Sequence, residues 1–499
     1  MEFDKKKELL GKLLFILSFL LLGYMIISPF AKTIIHVDQF WTIGVINLSL
    51  SETIPLMISD VHPPLYYLVL KVIFKALSIF GIHYTNIFVL KLFSILPYGL
   101  ILIVFCTKIR KEYNWLTVGL FTFVLGSLSM FFIQFLTIRM YNWGLLFLLM
   151  SFIYFKGIIS NSDKKSWILF TIFSVLVAYT HYFILISTFL LYLILLIHIY
   201  RNNDSKLKIM DQLKKWCLSV ISAIVLYLPW LFIFLSQVNH RQHVLESSFP
   251  TAIEIVNYFT YFTGIESVLS FETLLFKLFA FIILLLFVYI FIKEFNNESN
   301  VDRFYVGTGL ILLFLSILLG IIIVSLAFNI FSIRYLVPVA SIFWFSVCII
   351  IGKINNNRLF IISTLIILFI CALGFTQTIE STHLLCDEST NALNMMDSLN
   401  NNDTVIVYTQ EFHYINFHNY LNETKEYKSE FSMPYSPKNI KTIKNISKLY
   451  EKYPDKNIYI IKAIDFKTND DFDNVIVNNS TYEKYGNYYN IWFIHAKGH

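Results

Sequence analysis

Acidic and guanidinium side chains stand out in this chain because they fall at the edges of long apolar stretches. Asp38 sits in His36-Val37-Asp38-Gln39-Phe40-Trp41, and Asp60 opens Asp60-Val61-His62-Pro63-Pro64-Leu65-Tyr66-Tyr67. A carboxylate at an interface rich in aromatics is partly desolvated, which moves it toward useful base strength. Either residue can instead cap a helix, and the Pro pair after Asp60 suits a first helical turn. The chain has only seven Arg. Three are of interest: Arg139 in Ile138-Arg139-Met140-Tyr141, Arg334 in Ile333-Arg334-Tyr335, and Arg241 in Asn239-His240-Arg241-Gln242-His243. A guanidinium beside a helix end can grip a phosphate through two parallel hydrogen bonds. The bland alternatives are snorkelling to lipid headgroups, pairing with a structural carboxylate, or, for Arg241, a solvated loop. His181-Tyr182 and the run Phe412 to Tyr420 are secondary candidates. Lys71, Lys75 and Lys91 read better as interfacial anchors.

These residues need elements to hold them, and the composition says which kind. Of 499 residues 57% are hydrophobic and only 14% charged. Soluble domains carry about 45–50% apolar and about 25% charged residues. A spanning helix needs ~20 mostly apolar residues, and eleven candidate stretches occur: 13–30, 86–106, 115–130, 141–156, 166–180, 183–200, 216–236, 273–292, 305–327, 336–352 and 359–377. The stretch 13–30 is too long for a signal peptide and no small-residue cleavage site follows it, so it reads as an uncleaved first span. With the N-terminus cytoplasmic, the basic loops at Lys108/Arg110/Lys111, Lys164/Lys165, Arg201–Lys215, Lys293/Arg303 and Lys353/Arg358 share one side. That agreement requires the apolar segment 62–80 to lie in the outer interface instead of crossing. Asp38, Asp60, Arg139, Arg241 and Arg334 then all face outward, the Arg against the positive-inside bias. The net charge of +6 reads as loop Lys and Arg, not as a nucleic-acid footprint. The five Cys show no CxxC spacing, so neither a disulfide framework nor a zinc knuckle is expected.

The tail differs from the rest. Residues 378–499 predict a small α/β domain on the outer face, after a membrane domain over 1–377. Thr404–Thr409, Asn457–Ile464, Asn474–Val477 and Asn490–His495 read as strands, Asp387–Asn400 and Pro437–Tyr453 as helices. In the run Phe412 to Tyr420, a helix packing onto the membrane domain competes with an acceptor platform.

The string Asp60-Val61-His62-Pro63-Pro64-Leu65-Tyr66-Tyr67 resembles the first-loop motif of the GT-C superfamily. The resemblance is to its branch of protein O-mannosyltransferases, aminoarabinose transferases and related dolichyl- or polyprenyl-phosphate-sugar transferases. Arg139-Met140-Tyr141 resembles the motif after that branch's third span, although Thr137-Ile138 replaces the usual small or acidic pair. Arg334-Tyr335 followed by Pro338 resembles a late external Arg-Tyr of many members. The likeness covers about residues 1–350 in layout, and the tail matches only in position.

The resemblance implies a sugar donor on a polyprenyl phosphate, an acceptor outside the cytoplasm (glycan, lipid or protein), and surrounding membrane lipid. Its catalytic acid usually appears as an Asp-Glu pair, which here is Asp38-Gln39. Asp38 is thereby the expected general base. Gln39 weakens a second-carboxylate or metal role, and a divalent ion remains the one cofactor to consider. Asp60, His62, Arg139, Tyr141, Arg334 and Tyr335 are the expected substrate-binding residues. A single displacement inverts the anomeric centre. Two other classes compete: a transporter or flippase of a lipid-linked glycan, and a non-catalytic membrane assembly protein. Transporters commonly show repeated halves and charges deep in their spans. The sequence shows no repeat and few such charges.

Overall fold

The structure, a computed structural model, describes residues 2–28, 37–59, 62–83, 86–201, 205–242, 250–263, 270–295, 298–327, 332–409, 415–421, 423–428, 441–442, 447–463, 482–488 and 491–496. Its helices run in chain order as α1 Glu2–Ile27, α2 Val37–Asn47, α3 Leu50–Ser59, α4 Leu65–Leu77, α5 Ile87–Thr107, α6 Trp115–Ser127, α7 Ser129–Leu136, α8 Tyr141–Asn161, α9 Lys164–Ala178, α10 Tyr182–Arg201, α11 Lys206–Gln242, α12 Ala252–Thr260, α13 Ser270–Glu294, α14 Asn300–Ala327, α15 Val337–Lys353 and α16 Asn357–Leu399. Among the described residues eight helices are long and apolar enough to cross a membrane, or nine if the bent pair α6–α7 is one span. The expected stretches 166–180 and 273–292 fall on α9, of 15 residues, and α13, of 25. The protein is a polytopic helical membrane protein. The segment expected to lie in the interface is α4, 13 residues long. At 1.5 Å per residue it reaches about 20 Å, short of the ~30 Å of a hydrocarbon core.

The chain divides into two compact units. The first comprises Met1–Ser28, Val61–Tyr66 and Lys91–Glu380. At its heart is α15, buried on every side from Val337 to Gly352. That is what a helix apolar all round requires. α1 and α6 lie against each other through two glycines. A Cβ at Gly119 would stand 1.9 Å from the carbonyl oxygen of Gly11. Only glycine lets two backbones approach so closely, a packing common between membrane helices. Near the C-terminal end of α8 a charged network ties the helix ends together. Lys156 meets Glu112 at 3.2 Å and Asp302 at 3.4 Å, and Lys353 meets Asp302 at 3.7 Å and also Glu298. Lys156 also donates to the hydroxyl of Tyr113 at 2.7 Å.

The second unit comprises Pro29–Asp60, Tyr67–Leu90 and Ser381–His499. Its sheet has the strands β1 Thr404–Tyr408, β2 Lys425–Lys428, β3 Lys441–Thr442, β4 Asn457–Ala463, β5 Tyr482–Tyr488 and β6 Ile491–Ala496, in the order β3-β2-β1-β4-β6-β5. β1, β2, β3 and β4 run parallel, while β6 is antiparallel to β4 and β5. Val405, Val407, Leu449, Ile458, Ile460 and Ile494 form its core. The expected strands at 404–409, 457–464 and 490–495 are present; 474–477 lies outside the described residues. Asp387–Asn400 is helical as expected, as the end of α16, which runs to Leu399. The helical expectation for Pro437–Tyr453 needs correction: its described residues hold the strand β3 and a short helix Ser447–Lys452. Lys441 and Thr442 find their backbone partners on β2 at Tyr427 and Lys428, which a local helical pattern cannot anticipate.

Candidate functional site

The first unit gathers several of the expected residues at helix ends. The span that begins with α6 breaks at Leu128, where the backbone turns extended, and α7 continues at 66°. α7 is only eight residues long and ends before the link Thr137–Met140. Its last carbonyls lack helical partners. Lys91, fully buried, donates to one of them, that of Leu136. The link then turns sharply, with the Arg139 amide donating to Thr137 at 2.8 Å. Arg139 emerges there, 3% exposed.

Arg139 Nη2 lies 3.0 Å from Nε2 of His62. A guanidinium only donates, so Nε2 accepts and His62 carries its proton on Nδ1 in this contact. His62 precedes two buried prolines, which bring no N–H to satisfy. The amide of Leu65 just beyond donates to Tyr179 at 3.2 Å and fixes the segment to the α9–α10 turn.

That turn supplies His181, buried outside both helices. Its ring centre stands 6.2 Å from His62, 5.3 Å from Tyr141 and 4.6 Å from Tyr335. Burial pushes the His181 imidazole well below its ordinary range, and His62, Arg139 and Arg334 push it the same way. It is therefore neutral at physiological pH. Its Nδ1 accepts from the Phe183 amide at 3.2 Å, which leaves Nε2 as a hydrogen-bond donor.

Arg334 lies in the turn Ile333–Leu336 before α15, with its guanidinium 5.7 Å from the ring of Tyr141. Tyr335 stacks on Phe183 at 4.9 Å and stands 6.0 Å from Tyr141. Tyr141 opens α8, and its buried hydroxyl meets no hydrogen-bond partner among the described residues. Two guanidiniums, a neutral imidazole N–H and a phenol thus converge from four chain segments. Such a donor set is matched to an anion with several oxygens.

The other candidates fall elsewhere. Asp38 belongs to the second unit, in the first turn of α2 and partly buried; Thr42 donates to its carbonyl at 3.3 Å. Gln39 beside it is fully buried. Asp60 lies outside the described residues, as does the side chain of Arg241, whose backbone extends α11. Lys71 donates to the carbonyls of Ile46, at 3.1 Å, and Leu48, while Lys75 is exposed. Within the run Phe412 to Tyr420, Ile415 and Phe417 are buried in the second unit. Among the described residues no group of three His, Cys, Asp or Glu could hold a metal ion. Sequence reasoning gave His181 only a secondary place. Its signal was an imidazole at a helix end level with Arg139 and Arg334.

No protein-family model and no curated protein matches the sequence. Solved structures do. ArnT from Cupriavidus metallidurans, in the apo state and bound to undecaprenyl phosphate, is similar with a TM-score of 0.57 in each case. The identity is 10%, and the match covers 97% of this chain and 97% of that one. An oligosaccharyltransferase from Archaeoglobus fulgidus is similar at a TM-score of 0.45 and 11% identity, over 91% of this chain and 69% of that one. The chain therefore has the fold of the ArnT structures.

Proposed function

We propose that this protein is a membrane glycosyltransferase. It moves a sugar from a polyprenyl-phosphate carrier to an acceptor hydroxyl outside the cytoplasm. The acceptor is a glycan, a lipid or a protein. The observation that carries this reading is the convergence of Arg139, Arg334, His62, His181 and Tyr141 in one cluster. The fold adds support, because ArnT with that fold was solved bound to undecaprenyl phosphate.

In this reading Arg139 and Arg334 hold the lipid phosphate, and the His181 N–H and Tyr141 hydroxyl donate to its remaining oxygens. His62 orients Arg139, and Tyr335 walls the site. Asp60 contributes to substrate binding. Asp38 takes the proton from the acceptor hydroxyl as its oxygen bonds to the anomeric carbon. The bond from that carbon to the phosphate oxygen breaks on the opposite side, so the centre inverts. The departing phosphate gains charge, and donors already aimed at it stabilise that charge without reorganising. The extracytoplasmic side is assigned to the acceptor and the tail, with the N-terminus cytoplasmic.

The test is binding of undecaprenyl phosphate to purified wild type, Arg139→Met and Arg334→Met. Loss of about tenfold or more in affinity in each variant is expected, since each removes a charge-assisted contact. Equal binding by all three would remove the phosphate role from both residues.

A further inference from the structure

The tail has no part in the chemistry so far, yet it shares a compact unit with the helix that carries Asp38. α2 is 11 residues long, and helices of that length are marginal by themselves in water. Its position therefore depends on what it packs against. Phe40 is fully buried, with its ring centre 5.7 Å from Phe417 and 5.3 Å from Tyr420. One turn later Gly44 meets the same segment of the tail. A Cβ there would stand 2.0 Å from the carbonyl oxygen of Ile415 and 2.7 Å from its Cγ2. Phe417 in turn lies edge-on to Phe493, at 5.4 Å, on β6, the strand between β4 and β5. At the other end of α2, Lys71 donates to the carbonyls of Ile46 and Leu48.

Phe40 and Gly44 are four residues apart and share one helix face. At about 100° per residue, Asp38 lies roughly 140° around the helix from that face. A continuous set of packed groups thus leads from the sheet, through Phe493, Phe417 and Phe40, to a helix whose opposite side bears the carboxylate.

We propose that the tail domain is a positioning platform for the Asp38 helix, with Gly44 and Phe417 as its positioning residues. This rests on the reading of Asp38 as the general base. The close approach at Gly44 sets the height of α2 above the domain, and the Phe40–Phe417 contact sets its rotation. The domain's contribution is then to the rate of transfer, not to donor binding.

The experiment uses the full chain in lipid nanodiscs, comparing wild type, Gly44→Ala, Phe417→Ala, Phe417→Tyr and Asp38→Asn. Three quantities are read: affinity for undecaprenyl phosphate, sugar release from radiolabelled undecaprenyl-phosphate hexoses and pentoses, and hydrogen exchange along 37–47. Gly44→Ala and Phe417→Ala are expected to keep the affinity within about twofold and to lose tenfold or more in kcat at little changed KM, as misplacing a catalytic group does. Exchange along 37–47 is expected to accelerate in both, and Phe417→Tyr to restore most of each loss. Wild-type kcat and exchange in folded Gly44→Ala and Phe417→Ala would overturn the proposal, and so would a parallel loss of affinity and rate. Unchanged transfer by Asp38→Asn would overturn the base assignment alone. The exchange measurement still tests the platform in that case, and also if no sugar in the panel is a donor.

Discussion

Arg139 reaches His62 across 77 positions of sequence, Nη2 to Nε2 at 3.0 Å. The pair links the first-loop motif to the end of the broken span. Because the two act as one unit, their substitutions are expected to be non-additive. Arg139→Met, His62→Ala and the double variant, titrated with undecaprenyl phosphate, should give a coupling of about 0.5–3 kcal/mol. Strict additivity would mean that His62 does not orient the guanidinium.

His181 predicts a pH dependence of stability. Its pKa in the folded protein lies well below the ordinary value, and burial is the leading cause. The unfolded chain therefore binds the proton first as the pH falls. Its contribution is intact above about pH 6.5 and is lost progressively below it, because stability rises with pH wherever the unfolded state holds more protons. Thermal unfolding of wild type and His181→Gln between pH 7.5 and 5 should show a shallower acid-side loss in the variant. Parallel curves would remove His181 from the account.

The crossing of α1 and α6 predicts a sharp size limit. Gly119→Val places a side chain onto the Gly11 backbone and should destabilise the protein by about 1–3 kcal/mol or more. Gly23→Val lies in α1 with nothing within 4 Å of its Cβ and should be near neutral. Melting in detergent, followed by size-exclusion chromatography, separates the two.

The charged network around Lys156 should matter to the fold and not to binding. Asp302→Ala strips Lys156 and Lys353 of a shared partner. A cost of about 1–3 kcal/mol in stability is expected, since partly buried cations are left underpaired. Undecaprenyl phosphate affinity per folded molecule should not change. A loss of affinity would show that this network communicates with the Arg139 cluster.

Some of this was readable from residues alone. The apolar stretches showed where helices run, and the length of α4 agrees with an interfacial segment that does not cross. Arg139 and Arg334 stand out in the sequence because the expected topology puts them outside against the charge bias, and Tyr141 and Tyr335 enter only through the motifs that hold those two Arg. The break at Leu128 was not readable. Residues 115–136 are apolar without a Pro, and only packing decides where such a span turns. β1 and β4 announced themselves by Val and Ile runs. β2 and β5, with Lys-Glu-Tyr-Lys and Tyr-Glu-Lys-Tyr-Gly-Asn-Tyr, did not, because backbone pairing and not apolar pattern holds them in the sheet. The packing of α2 on Ile415 and Phe417 was hidden for another reason: the contact joins residues far apart in the chain.

The most direct test of the central claim is transfer of sugar from radiolabelled polyprenyl-phosphate donors by wild type and Asp38→Asn at matched expression. Wild type is expected to transfer the sugar. The variant is expected to lose at least about a hundredfold, the contribution of a positioned base, with undecaprenyl phosphate still bound. Equal transfer by both proteins would contradict that claim, and so would the absence of any donor consumption by wild type.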